Sequence, residues 1–197
     1  MKKFIVLLLI VAALFNFAAC QKSDNPNTDT TVTTVETTVS EPTPSTEPQT
    51  TLPPAGEDLD LFAIIDQIYE VEPIDFEVID TEVDLSDNDN VKYFTGLDNA
   101  DKIKGAVASE GAIMPSAYSL VLVQVKSAAD KAEVAEEMLE GIDPFKWICV
   151  GAEDLQIVAQ GDLIMLFMTS SEASQTSDDF VAAFTEILGE TDLELKK

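Results

Sequence analysis

Apolar residues recur with helical spacing in three stretches of the chain. These are residues 58–69, residues 127–141, which begin at Ser127 and end at Gly141, and residues 177–188. In each stretch the apolar side chains fall on one face, which predicts an amphipathic helix. We expect Ser127 to cap the second helix, because a serine hydroxyl accepts a hydrogen bond from a free backbone N–H. The three apolar faces consist of Leu61, Phe62, Ile65, Ile68 and Tyr69, then Ala128, Ala132, Ala135, Leu139 and Ile142, then Phe180, Val181, Phe184, Ile187 and Leu188.

Four shorter apolar stretches predict β-strands. Residues 118–126 are apolar on both faces, which is typical of a strand at the centre of a sheet. Residues 155–159 and 163–169 flank Gln160-Gly161-Asp162, and a short connection that contains glycine predicts a β-hairpin. Residues 105–114 favour one further strand.

The order of these elements determines the fold class. Residues 74–85 alternate apolar and acidic side chains, which favours a half-exposed strand and leaves a helix as the open alternative. After the first helix and this segment, the elements follow in the order β-β-α-β-β-α. We therefore predict a single α+β domain over residues 57–197, a two-layer sandwich with a mostly antiparallel β-sheet and its helices packed on one face.

The start of the chain has the pattern of a bacterial lipoprotein signal peptide. Two lysines precede an apolar run over residues 4–17, which is too short to cross a bilayer, and Phe17-Ala18-Ala19 stands directly before Cys20. This pattern predicts a signal peptide over residues 1–19 and lipidation of Cys20, with palmitate among the acyl chains. The protein would then be anchored at the extracytoplasmic face of the cell membrane. The alternative is an ordinary secretory signal and a freely secreted protein.

The next segment, residues 20–56, has the composition of a disordered tether. It follows Cys20 with many threonines and six of the nine prolines, and it contains no aromatic residue. Such a segment cannot bury enough apolar surface to offset the entropy lost on ordering. As a flexible coil it would average about 30 Å from end to end, which holds the domain clear of the membrane. A threonine-rich stalk carrying O-linked sugar is the alternative.

The charge of the chain narrows the classes of function. It has 37 acidic residues, 11 lysines and no arginine or histidine, for a formal net charge of −26. A surface of this sign repels phosphate groups, so nucleic acid is excluded as a partner, and a basic protein, a cation or a cell-wall component is expected instead. Without histidine there is no Ser-His-Asp triad and no imidazole metal ligand. No cofactor is predicted.

One short acidic segment bears comparison with a calcium loop. Asp84, Asp87 and Asp89 supply oxygen ligands at close intervals, as calcium-binding loops do. An EF-hand needs glycine where this chain has Asp89, and a bidentate glutamate where it has Thr95. We interpret the segment as a solvated turn, and a weak calcium site is the alternative.

Three further groups of residues have side chains that could carry out chemistry or bind a ligand. Acidic pairs could hydrolyse glycosides without histidine, but no pair stands out among so many acids. Trp147, Tyr118, Tyr93 and Phe145 could line a groove for a sugar or a peptide, and core packing is the simpler interpretation. Cys149 stands in an apolar segment, which favours a small buried side chain over a reactive thiol.

The second half of the chain resembles a family of lipoproteins. The likeness covers about residues 93–188, with Tyr93-Phe94-Thr95-Gly96-Leu97, Met114-Pro115, a helix that ends near Gly141 and a hairpin that turns at Gly161. These residues resemble the clostridial Firmicutes lipoproteins described as domain of unknown function 4358. The helix before the hairpin is shorter here than is usual in that family. The resemblance implies a lipid anchor and this fold, and it supplies no catalytic residue or ligand.

Two classes of function follow from the sequence. The first is a non-catalytic binding or accessory module displayed on the outer side of the membrane, with an acidic surface that meets its partner. The alternative is a small surface hydrolase that uses carboxylates, or serine or threonine with lysine.

Overall fold

The computed structural model describes residues 56–113 and 116–197. The predicted signal peptide, Cys20 and the tether up to residue 55 lie outside the described residues, as does the Met114-Pro115 pair. The described residues form four helices and six strands. These are α1 (Leu61–Val71), β1 (Val78–Glu82), α2 (Asn88–Thr95), β2 (Ile103–Gly111), β3 (Tyr118–Val125), α3 (Lys131–Gly141), β4 (Asp154–Gln160), β5 (Leu163–Thr169), α4 (Ser177–Leu188) and β6 (Leu193–Lys196).

The six strands form one antiparallel sheet in the order β1-β2-β3-β5-β4-β6. This confirms the predicted α+β class and antiparallel sheet. The predicted hairpin is also confirmed, because β4 and β5 pair on either side of the turn at Gly161. Strands β1 and β6 are the two edges of the sheet.

Helices cover both faces of this sheet, so the predicted two-layer arrangement with helices on one face is wrong. α1 and α4 pack on one face, through side chains such as Ile65 and Phe184. α2 and α3 pack on the other, through side chains such as Val91 and Met138. The physical reason is that every residue of β3 and β5 is buried, so both faces of these central strands need a cover. We call the two surfaces the α1/α4 face and the α2/α3 face.

Several element boundaries differ from the predicted ones. The predicted cap Ser127 is wrong, because residues 127–130 form a turn in which Ser127 Oγ accepts from the Ala129 N–H, and α3 begins after Asp130. In α1 the buried side is completed by Ile64, whereas Phe62 is exposed. Helix α4 spans the predicted residues, and its start is fixed by a reciprocal capping box between Thr176 and Asp179.

Two glycines bring α2 and α3 into close contact. α2 ends at Thr95 and is capped by Gly96, which has a φ of 83°, and α3 ends at Gly141. A Cβ atom on Gly96 would stand 2.7 Å from the Met138 carbonyl oxygen and closer still to the Ile142 backbone nitrogen. A Cβ on Gly141 would overlap the Gly96 carbonyl oxygen. Backbone therefore meets backbone here, and only glycine leaves the room for it.

The described chain begins at one end of the sheet. The Gly56 N–H donates to Asp162 Oδ2 at 3.1 Å, and Lys104 Nζ donates to the Gly56 carbonyl at 2.8 Å. Gln124 Nε2 donates both to Asp162 Oδ2 and to the Glu57 carbonyl. We call this the Gly56 end of the sheet, and the opposite end, where β3 begins and β5 stops, the distal end.

Candidate functional site

Two of the three acidic residues of the calcium-like segment, Asp84 and Asp87, accept hydrogen bonds from the local backbone. Asp84 Oδ1 accepts from the Ser86 N–H and hydroxyl at 2.9 and 2.7 Å, and these bonds lower the pKa of Asp84. Asp87 caps α2 by accepting from the Asp89 and Asn90 N–H groups. Asp89 lies in the first turn of α2, where a negative charge suits the helix dipole. Within residues 56–113 and 116–197, no cluster of three or more metal-ligating side chains is placed to hold an ion.

Lys146 lies buried at the distal end, in a setting that the sequence did not predict. Its side chain is 3% exposed, and its Nζ is 2.6 Å from Glu110 Oε1. This contact is an ion pair without good hydrogen-bond alignment, since Oε1 has no hydrogen-bond partner among the described residues. Lys146 Nζ also stands 4.7 Å from the ring centroid of Tyr93, 5.2 Å from that of Trp147 and 5.6 Å from that of Phe94. The ammonium group is therefore held by one carboxylate and three aromatic rings.

The surroundings of Lys146 show how the aromatic residues of the predicted groove are arranged. Tyr93 and Trp147 do come together, but the chain's own Lys146 occupies the space between them. Trp147 is in the core of the α2/α3 face, and Tyr118 is buried on the α1/α4 face, so the core interpretation is confirmed for these two. Phe145 belongs to neither core and is exposed.

A serine stands beside the buried lysine, which bears on the hydrolase alternative. Ser119 Oγ is 3.4 Å from Lys146 Nζ, and burial lowers the pKa of Lys146 below its ordinary 10.5, against the opposing charge of Glu110. A lysine of lowered pKa next to a serine is the pattern of a serine nucleophile and its base. Ser119 is fully buried, however, so a substrate cannot reach its hydroxyl in this structure.

The most exposed large apolar side chains of the described residues lie at the distal end. They belong to Ile148 (76% exposed), Ile113 (72%), Phe145 (68%) and Ile79 (58%). Ile79 pairs with Glu110 near the end of β2, and Ile113 follows that strand. Phe145 and Ile148 flank Lys146 in the loop before β4, where the Ala152 N–H donates to the Pro144 carbonyl. Exposed large apolar side chains are a feature of interaction surfaces, and these four lie at the end of the sheet opposite Gly56.

Cys149 belongs to the same loop and corrects a prediction. It is exposed, whereas the sequence favoured a buried side chain. Its φ is 66°, in the left-handed region, and it lies in the bend over residues 147–149. The apolar neighbours that suggested burial are split: Trp147 points into the core and Ile148 into solvent.

A groove of about 730 Å³ borders the start of β1 at the distal end. Tyr69 lines this groove; its hydroxyl accepts a hydrogen bond from the Tyr118 hydroxyl and donates one to Ser109 Oγ at 2.6 Å. Burial raises the pKa of Tyr69 to about 12, so this network is uncharged at neutral pH. The wall is mainly apolar and includes Ile74 and Phe76.

The charged residues of the domain are unevenly distributed. All eight lysines of residues 57–197 contact a carboxylate or a backbone carbonyl, whereas the same residues contain 32 acids. Residues 57–89, which include α1 and β1, hold thirteen acids and no lysine. The acidic excess is therefore greatest around these two elements.

Comparison with protein families, with curated proteins and with solved structures finds no match to this chain. Among the described residues, no helix is both long enough and apolar enough to span a membrane. The resemblance to the lipoprotein family stays a prediction.

Proposed function

We propose that this protein is a lipoprotein anchored through Cys20 at the extracytoplasmic face of the cell membrane, where it acts as a non-catalytic binding module. The signal-peptide pattern supports the location, and the resemblance to domain of unknown function 4358 agrees with it. In this role the domain presents a recognition surface to a partner. The acidic charge of the domain favours a basic protein as that partner.

The observation that carries the proposal is the position of the exposed apolar residues relative to the chain entry. The tether would join the domain at Gly56, which is held by Asp162 and Lys104. Ile113, Phe145 and Ile148 lie at the other end of strands seven to nine residues long. Such strands separate the two ends by about 25 Å. A tether at one end and an apolar surface at the other suit a domain that presents its far end to a partner.

The hydrolase alternative has less support from the geometry. Its nearest arrangement, Ser119 beside Lys146, is closed to substrate. The ion pair with Glu110 and the three rings also account for Lys146 without any catalytic role.

Site-specific photo-crosslinking in intact cells tests the binding surface. A photoreactive amino acid placed at Ile148 should form a discrete covalent adduct with a partner protein, because this exposed side chain belongs to the proposed surface. The matched control is Ala129, which is exposed at the Gly56 end of the sheet and should give no adduct. Equal adducts from both positions, or an adduct from Ala129 alone, would contradict the proposal.

A further inference from the structure

We propose that the outer edge of β1 receives an extended, basic segment of the partner protein as an additional antiparallel strand. This inference rests on the proposed binding function and deepens it by stating the chemistry of the partner. It is carried by three features of β1: free backbone groups, alternating side-chain chemistry and an adjoining apolar groove.

The free backbone groups follow from the pairing of β1 with β2. The Ala112 N–H donates to the Glu77 carbonyl, and the Val83 N–H donates to the Ala106 carbonyl. In an antiparallel ladder this pairing alternates, so odd-numbered residues of β1 bond to β2. Val78, Asp80 and Glu82 therefore direct their N–H and C=O groups away from the sheet. No other strand of the described residues pairs with this edge.

Natural sheets protect their edges with short strands, charged side chains, proline or a covering element. The other edge follows that rule: β6 packs against α3, and its Lys196 pairs with Asp178. β1 has neither lysine nor proline, and its edge is protected by the acids Asp80 and Glu82, whose charge a basic strand would neutralise.

The side chains of β1 indicate which residue types the added strand should contain. Asp80 and Glu82 lie towards the α1/α4 face, and Ile79 and Thr81 lie towards the α2/α3 face, as the register with β2 requires. Directly opposite residues in an antiparallel pair contact each other, so lysine or arginine should stand opposite each acid. Residues that suit a strand, such as valine or threonine, should stand opposite Ile79 and Thr81. The groove beside Val78 provides room for one large apolar side chain.

The same chemistry disfavours a second copy of this chain as the occupant. Two β1 strands paired antiparallel would place acidic side chains against acidic side chains. Like charges directly opposite each other destabilise a strand pair. The thirteen acids and absent lysines of residues 57–89 add repulsion between copies and attraction for a cationic segment.

A designed peptide tests the inference on the mature chain. The probe is Thr-Lys-Thr-Lys-Val-Phe-Thr, which places lysines opposite Glu82 and Asp80 and phenylalanine opposite Val78. We expect it to bind at least about tenfold more tightly than the isomer Lys-Lys-Thr-Thr-Phe-Val-Thr, which has the same charge. N-methylation of both lysines should weaken binding by about tenfold or more, because their N–H groups face β1. N-methylation of the threonines at peptide positions 1 and 7 should change the affinity by less than about threefold, since those N–H groups face solvent.

Variants of β1 provide the second measurement. Asp80→Pro removes an outward N–H that β2 does not use, and proline is tolerated at such an edge position. Asp80→Pro should therefore weaken binding of the probe more than Asp80→Ala does, because Asp80→Ala removes the same charge and keeps the N–H. Equal affinity for the two isomers, or equal effects of the two N-methylation patterns, would overturn the inference. If either result is obtained while Ile148 still forms an adduct, the β1 site is wrong and the proposed binding function is still supported.

Discussion

Replacing Gly96 with alanine is expected to destabilise the domain by about 4 kcal/mol, a large share of the stability of a domain of this size. The added Cβ meets the backbone of α3, at the Met138 carbonyl and the Ile142 nitrogen, and backbone atoms cannot move aside as a flexible side chain would. The positive φ of Gly96 adds about 1–2 kcal/mol of strain. Urea unfolding of the two proteins measures the difference.

Gly189 provides a matched control for this prediction. It also ends a helix and has a φ of 94°, but a Cβ at Gly189 would meet nothing within 4 Å. Gly189→Ala should therefore cost only the conformational strain, about 1–3 kcal/mol, because its ψ of 179° places it in a region of φ and ψ that essentially only glycine adopts. If the Gly96 and Gly189 variants lose the same stability, the close contact between α2 and α3 is not as described.

Replacing Lys146 with methionine should cost about 3–5 kcal/mol. Methionine keeps the length of the side chain and much of its packing, but it leaves the Glu110 carboxylate buried without a cation. The loss of attraction to Tyr93, Trp147 and Phe94 adds to this cost. Chemical denaturation is again the measurement.

An exposed ion pair and a double variant separate the causes. Lys92 pairs with Asp98 at 2.6 Å in solvent, so Lys92→Met should leave the midpoint of chemical denaturation almost unchanged. Adding Glu110→Met to Lys146→Met should restore most of the lost stability, because it removes the unpaired buried charge. A double variant no more stable than Lys146→Met would show that the cost comes from packing and not from the isolated carboxylate.

The sequence predicted those elements whose signals are local. The hairpin turning at Gly161 and the helix from Ser177 to Leu188 are confirmed because turn residues, caps and spacing lie within a few positions of one another. Helix α2 and strand β6 were not predicted. α2 has only eight residues and begins with Asn88-Asp89-Asn90, which favours turns, and β6 has four residues, two of them charged.

Other features could not be predicted because they depend on contacts between distant positions. Lys146 meets Glu110, Tyr93 and Ser119 through separate elements, and nothing near Lys146 in the chain marks it as buried. The layering is a partial exception. A stretch as apolar as residues 118–126 predicts burial on both faces, and that requirement is inconsistent with helices on one face.

The free edge of β1 became visible only with the sheet order. The alternation over residues 74–85 predicted a strand, and β1 occupies its centre. Which neighbour it pairs with, and which of its N–H groups stay free, follow from the register with β2. The acidic composition of this segment is the basis for proposing a basic partner at this edge.

The proposed anchoring is tested most directly by asking whether Cys20 carries a lipid and places the domain outside the membrane. The full chain is expressed in a Gram-positive host with tritiated palmitate, and protoplasts are then treated with an external protease. We expect labelled protein whose domain is removed by the protease, no label in Cys20→Ala, and full label in Cys149→Ala, which alters the other cysteine. Label retained in Cys20→Ala, or a wild-type domain protected from the protease, would contradict the account.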